Sequence, residues 1–199
     1  MIAFLDTEFT DLVVQPRLLS AGIVLSAGTA NEFYAEVSDP DRLAGASQFA
    51  LDAVLPQFGR IDGAACTYVE LGRRLGSYFD ALTDLLNPAE MLHVAFAYHL
   101  DWELTAMAMR DSGASRPEST RRRLRPVEVY DVTGFGAGRR ASEAFFAGTA
   151  SGPLTRHHAL CDARALRCAY LAATSADAMA AQSGSTRNGG SLVPRSISA

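Results

Sequence analysis

Apolar stretches and polar breaks alternate along the chain in the order expected of an α/β protein. Residues 2–6 form an apolar run that closes on acids and predict a buried strand. Residues 18–26 predict a second strand, and residues 31–37, alternating around Phe33, Tyr34 and Ala35, a third. Gly28 between them is a turn signal, so the three predict an antiparallel meander. Residues 38–63, interrupted by Pro40 and Pro56, have no regular period. A well-marked helix follows. Thr67-Tyr-Val-Glu70 is a capping-box pattern, Leu71, Leu75, Tyr78, Phe79, Leu82, Leu85 and Leu86 recur at helical spacing, and Asn87-Pro88 stops it. Residues 91–97 predict a fourth strand, and residues 101–110 a helix with Leu104, Met107 and Ala108 on one face. Residues 111–125 predict a polar, arginine-rich loop, residues 127–132 a fifth strand, and residues 139–147 and 158–173 two more helices. Residues 174–199, mostly Ser, Gly, Ala and Asn, predict a flexible tail. The expectation is one α/β domain over residues 1–173, with a mixed five-stranded sheet flanked by helices.

Composition narrows this picture. With 199 residues, 48% hydrophobic and 20% charged, the chain can bury a core without disulfides or a structural metal. No apolar run approaches the roughly 20 residues a bilayer crossing needs. The first residues carry no basic stretch and reach Asp6 at once, so no secretory signal is expected. Cys66, Cys161 and Cys168 are odd in number and contain no C-x-x-C pair; the last two lie about 10 Å apart along a predicted helix, too far for a disulfide. A reducing cytoplasm and no membrane partner are therefore expected. All 18 basic residues are arginine, and the net charge of −4 excludes a protein whose whole surface grips nucleic acid.

The candidate chemistry lies in the acids. Asp6 and Glu8 are two apart on the first strand, so their carboxylates share one face. Two like charges that close repel unless protonated or bridged, and a hard divalent cation such as Mg2+ or Mn2+ is the natural bridge. Near the other end, Asp162 falls among the apolar positions Leu166, Ala169 and Ala173 of a predicted helix, where an unpartnered carboxylate is costly. His157, at the start of that helix, is suited to take a proton from water. Asp101 follows the fourth strand and opens a helix; a plain helix cap is the other reading, and His99 and Glu103 stand beside it as alternatives.

Taken in order, these residues resemble a known pattern. D-x-E on the first strand, an Asp at a strand–helix junction and H-x-x-x-x-D on a late helix are similar to the DEDDh 3′–5′ exonucleases. These form the DnaQ-like branch of the ribonuclease H-like superfamily, with proofreading subunits, RNase T and oligoribonuclease among them. Phe4-Leu-Asp-Thr-Glu8 and His157-His-Ala-Leu-Cys-Asp-Ala163 carry the match, which spans roughly residues 1–173. The resemblance implies a ribonuclease H-like fold and a site in which Asp6, Glu8, Asp101 and Asp162 hold two Mg2+ or Mn2+ ions, with His157 as general base. It implies hydrolysis at the 3′ end of single-stranded RNA or DNA, releasing 5′-mononucleotides, with exoribonuclease activity the first reading. Thr7 and Phe9 would touch the terminal nucleotide, Arg139 and Arg140 the phosphates, and a homodimer is compatible with the aromatics of the late helices, Phe145, Phe146 and Tyr170. Phe9 also reads as a core residue. The basic clusters Arg121-Arg122-Arg123 with Arg125, and Arg139-Arg140, read either as contacts to substrate phosphates or as solvated loops. The sequence departs from the pattern at Ala97, where many members carry Asn, at Leu100, where Phe is common, and after Glu8, where Phe9-Thr10-Asp11 lacks the usual Gly.

Three other functions stay open on the residues alone: a DNA exonuclease of the proofreading or repair type, a nucleic-acid-binding module without catalysis, and a cysteine enzyme pairing Cys161 with His157 or His158. In the metal-dependent reading, two divalent ions would bring four positive charges against the net −4.

Overall fold

The computed structural model describes residues 1–12, 15–113 and 118–185. A six-stranded sheet in the order β4-β3-β2-β1-β5-β6 forms its centre. Strands β1 (Ile2–Phe9), β2 (Leu18–Leu25) and β3 (Gly28–Val37) make the expected antiparallel meander. A short helix α1 (Pro40–Leu43), a π-helical turn (Ala50–Val54) and a 3-10 turn (Leu55–Gln57) fill the stretch without a period. Strand β4 (Ala65–Cys66) then pairs in parallel with β3. Helix α2 (Tyr68–Asp84), strand β5 (Leu92–Phe96), helices α3 (His99–Asp111) and α4 (Glu118–Arg123), strand β6 (Leu124–Glu128) and helices α5 (Tyr130–Thr133), α6 (Gly136–Thr149) and α7 (Ala159–Ser185) complete the order. Strand β5 runs parallel to β1, and β6 parallel to β5. No helix among the described residues is long and apolar enough to cross a membrane.

The alternation of β1 separates two layers. Ala3 and Leu5 face α2 and α3 and join Leu71, Leu75, Phe79 and Leu104 in the larger core. Phe4 faces α7 and joins Val24, Ala95, Leu160, Ala163 and Leu166 in a smaller one. Helix α6 packs along α7. Two glycines permit this layering. A Cβ on Gly22 would stand 2.4 Å from the backbone of Ala159 and Leu160, so glycine lets the first turn of α7 rest on β2. A Cβ on Gly72 would stand 2.1 Å from the Ala108 carbonyl, so glycine also sets the α2–α3 approach.

Several predicted boundaries are corrected. The sheet has six strands rather than five, because Ala65–Cys66 is too short to show a period. Strand β1 runs to Phe9, three residues beyond the predicted end, since Thr7, Glu8 and Phe9 still pair with β2; Asp6 and Glu8 thus lie within a strand. Helix α3 starts two residues earlier than predicted. The predicted loop 111–125 contains α4 and the start of β6. The fifth strand was expected at 127–132 but occupies Leu124–Glu128. It is an edge strand, buried only at Leu124 opposite Leu92, so it lacks an alternating pattern and tolerates Pro126. The apolar residues Tyr130 and Val132 that suggested a strand are exposed in α5. Helix α7 continues through Ser185, past the predicted end at Ala173; residues 186–199 of the expected tail lie outside the described residues.

Candidate metal centre and adjoining clefts

Strand β1 delivers Asp6 and Glu8 onto the α7 side of the sheet, beside Asp101 from α3 and Asp162 from the first turns of α7. All four line one cleft of about 470 Å3, together with Asp11 and His157 and without any arginine. One ligand atom each from Glu8, His157 and Asp162 lies within 4.8 Å of the other two, close enough to share a cation. Glu8 and Asp101 are buried, and Asp6 and Asp162 half-buried.

The electrostatics follow from that packing. Burial, with repulsion from Asp101, Asp162 and Glu8, holds the Asp6 carboxyl well above the usual carboxylate range. Burial and the charges of Asp162 and Asp101 push Glu8 up to about 9. Burial raises Asp162 to about 7 against the opposing pull of the His157 N–H, and Asp101 to about 6 against its own hydrogen bonds. A cluster that resists ionisation in this way is relieved by cations.

Asp101 is held by its neighbours as well as by α3. Its Oδ1 accepts from the Thr7 N–H at 3.1 Å and the Thr7 hydroxyl at 2.8 Å, and its Oδ2 accepts from the Tyr98 N–H at 3.2 Å. Asp101 is thus both the capping acid of α3 and a wall of the cleft. Thr7, expected to touch substrate, lines the cleft but commits its hydroxyl to Asp101. Glu103 and His99 do not line it.

The structure also separates two adjacent histidines. His158 is buried, with its ring stacked on Tyr34 at 4.3 Å, and burial drops it to about 4, leaving it neutral at pH 7. His157 opens into the cleft; burial and the nearby Arg156 charge lower it, which favours the neutral, proton-accepting form. Its backbone N–H donates to Asp162 Oδ2 at 3.1 Å, and its φ of +68° lies in the left-handed region. Non-glycine residues held there concentrate at functional sites.

Among the other expected residues, Phe9 lines the cleft and also packs on the larger core. Arg139 lines a second cleft of about 450 Å3, which shares Asp6, Ala97 and Asp162 with the first and adds Tyr130, Ser142 and Phe146. Arg140 is exposed and lines neither cleft. Arg122, Arg123 and Arg125 line neither; Arg123 donates to the carbonyls of Asn87 and Glu90 behind α2. The Arg121 side chain lies outside the described residues. Cys66, Cys161 and Cys168 are free thiols; Cys161 is buried and burial pushes its thiol up, which does not suit a nucleophile.

Phe49, Tyr98 and Leu12 escaped the sequence reading. All three are exposed on the rim of the acidic cleft, and the Phe49 ring meets the His157 ring edge-on at 4.9 Å. Phe49 comes from the stretch without a period, where no pattern marks a site residue.

No family model matches the chain, and no curated protein matches it.

Proposed function

We propose that this chain is a metal-dependent 3′–5′ exonuclease of single-stranded nucleic acid, RNA in the first instance, with a ribonuclease H-like fold. The observation that carries the reading is the convergence of Asp6, Glu8, Asp101, Asp162 and the open His157 on a single cleft lined by no arginine. The fold assignment is supported by the antiparallel β1–β3 meander joined by parallel strands β5 and β6.

The donor chemistry suits hard divalent cations: ligand atoms of Glu8, His157 and Asp162 lie close enough to share one, and Asp6 and Asp101 line the same cleft. Oxygen ligands from Asp6, Glu8, Asp101 and Asp162 suit Mg2+ or Mn2+, whose charge would offset the burial and mutual repulsion that raise these carboxyls. Bound there, a pair of such ions would activate a water and stabilise the leaving oxygen of a phosphodiester. The chain's own residues would do the rest. Neutral His157 takes the proton of the attacking water. Phe9, Phe49, Leu12 and Tyr98 offer apolar surface for the terminal base. Arg139, which forms no ion pair among the described residues, faces the second cleft, where the adjoining backbone phosphate would lie.

The test is direct. Purified protein is incubated with 5′-labelled single-stranded RNA and DNA, with Mg2+ or Mn2+, with and without chelator. A ladder shortening from the 3′ end, abolished by chelator, is the expected result. Binding without shortening by folded protein would assign the fold to a non-catalytic binding role, and neither binding nor shortening would overturn the reading altogether.

A further inference from the structure

The peptide unit that precedes His157 is gripped at both ends. Its N–H donates to the Asp162 carboxylate at 3.1 Å, and its carbonyl, that of Arg156, accepts from Gln57 Nε2 at 2.6 Å. Gln57 lies at the end of the 3-10 turn, 99 residues away in sequence, and is 4% exposed. Its amide is fully used. Nε2 also donates to the Ala53 carbonyl at 3.0 Å, and Oε1 accepts from the Thr155 hydroxyl at 2.9 Å and the Thr155 N–H at 3.3 Å. Arg60 adds an outer tie to the same loop, donating to the Pro153 carbonyl at 2.8 Å.

We propose that Gln57 is a positioning residue for His157: it clamps the Arg156–His157 peptide so that the imidazole stays against Glu8 and Asp162. The backbone is strained at this point. A histidine at φ +68° relaxes toward the ordinary right-handed or extended regions unless its surroundings hold it. Rotation of the preceding peptide is the natural route of relaxation. That rotation would withdraw the N–H from Asp162 and swing the ring out of the cleft. Two opposed hydrogen bonds on one peptide plane block it, and among the described residues Gln57 supplies the carbonyl side. The same stretch brings Phe49 against the face of the cleft, so the π-helical and 3-10 turns between Phe49 and Gln57 deliver both a ring and a clamp to His157.

The catalytic half of this proposal rests on His157 being the general base, and the test separates the two. Gln57→Met keeps the length and burial of the side chain but removes every hydrogen bond. Thr155→Val removes the hydroxyl bond to Oε1 and leaves the bond to Arg156 intact. Two readouts are taken: steady-state hydrolysis of labelled single-stranded RNA with Mn2+, and amide hydrogen exchange at His157 in metal-free protein. Gln57→Met is expected to lower kcat about 10- to 100-fold with KM within about twofold, and to speed His157 exchange at least about tenfold. Thr155→Val is expected to leave both within about twofold. Unchanged His157 exchange in folded Gln57→Met overturns the proposal, as does an equal loss of kcat in both variants. If wild-type protein hydrolyses nothing while Gln57→Met still speeds His157 exchange, the exonuclease reading fails and the clamp stands. Should Gln57→Met not fold, Gln57→Glu, which sets an oxygen against the Arg156 carbonyl, is read by the same two measurements.

Discussion

Leu5 and Asp6 are neighbours on β1, and the two sides of the sheet they enter differ in kind. Leu5 points to α2 and α3, into a core of buried aliphatic and aromatic side chains. Asp6 points to α7, where within a few residues the apolar packing of Phe4 gives way to Glu8, Asp101 and Asp162. Burial on the first side stabilises the fold by removing apolar surface from water. Burial on the second side works against it, because carboxylates are desolvated beside one another. The α2–α3 side holds the strand in place while the α7 side keeps a charge arrangement that the fold alone would not choose. That division is expected where function opposes stability, and substitutions on the two sides should have opposite signatures.

The largest expected effect is Asp6→Asn. It preserves shape and removes one charge from the acid cluster, so 3′-end hydrolysis should fall at least about 1000-fold. Melting of the metal-free variant should be at or above wild type, because one repulsive carboxylate is gone. Activity is read on labelled single-stranded RNA and melting by calorimetry. A large stability loss would contradict the functional account of this face.

Phe79→Ala should give the reverse. The ring is fully buried on α2, and its removal should cost about 3–5 kcal/mol, read from urea unfolding. Turnover per folded molecule should stay unchanged. A loss of turnover in folded Phe79→Ala would mean that the two sides are coupled more tightly than the layering suggests.

The two sides were also unequally legible in the sequence. The core helix α2 could be read almost residue by residue, because a cap at Thr67, a helical apolar period and a stop at Pro88 all agree. The acids could be read because D-x-E on a strand and an Asp on an apolar helix face contradict ordinary packing. What escaped were features created by tertiary contact alone. Gln57 and Phe49 come from a stretch with no period, and their partners Arg156 and His157 lie about 100 residues away. The bounds of strand β6 were misplaced because an edge strand exposed at all but one residue has no face to alternate. Thr7 was placed in the site, but its bond to Asp101 depends on how β1 and α3 cross.

A subtler contrast lies in pH. Glu8 is held at about 9 against an ordinary 4.5, so the folded chain grips that proton more tightly than the unfolded chain. Below its ordinary value both states carry the proton and nothing is lost; as pH rises toward 9 the unfolded state ionises first and stability falls. Asp162 and Asp101 act in the same direction, up to about 7 and about 6. Metal-free protein should therefore melt at a clearly lower temperature near pH 8.5 than near pH 5. Glu8→Gln should reduce that difference, and so should millimolar Mn2+ in wild type. An identical pH dependence in wild type and Glu8→Gln would remove Glu8 from the account.

The smallest expected effect distinguishes two aromatic rings rather than two faces. Phe79 is fully buried, whereas Phe49 is 57% exposed and spends its surface on His157 and the rim of the cleft. An exposed phenylalanine adds little to folding, so Phe49→Ala should change stability by less than about 0.5 kcal/mol. Stacking of a base on an aromatic side chain is worth about 1–3 kcal/mol. Because the Phe49 ring already meets the His157 ring at 4.9 Å, it is not wholly free for a base, and the lower end of that range applies. KM for single-stranded RNA should rise about five- to tenfold with kcat changed less than about threefold. Phe49→Trp should restore KM if the ring stacks on a base, since a larger π surface serves that role at least as well. A kcat loss without a KM change would instead assign the ring to holding the His157 imidazole, and would set Phe49 beside Gln57 as a support of the base.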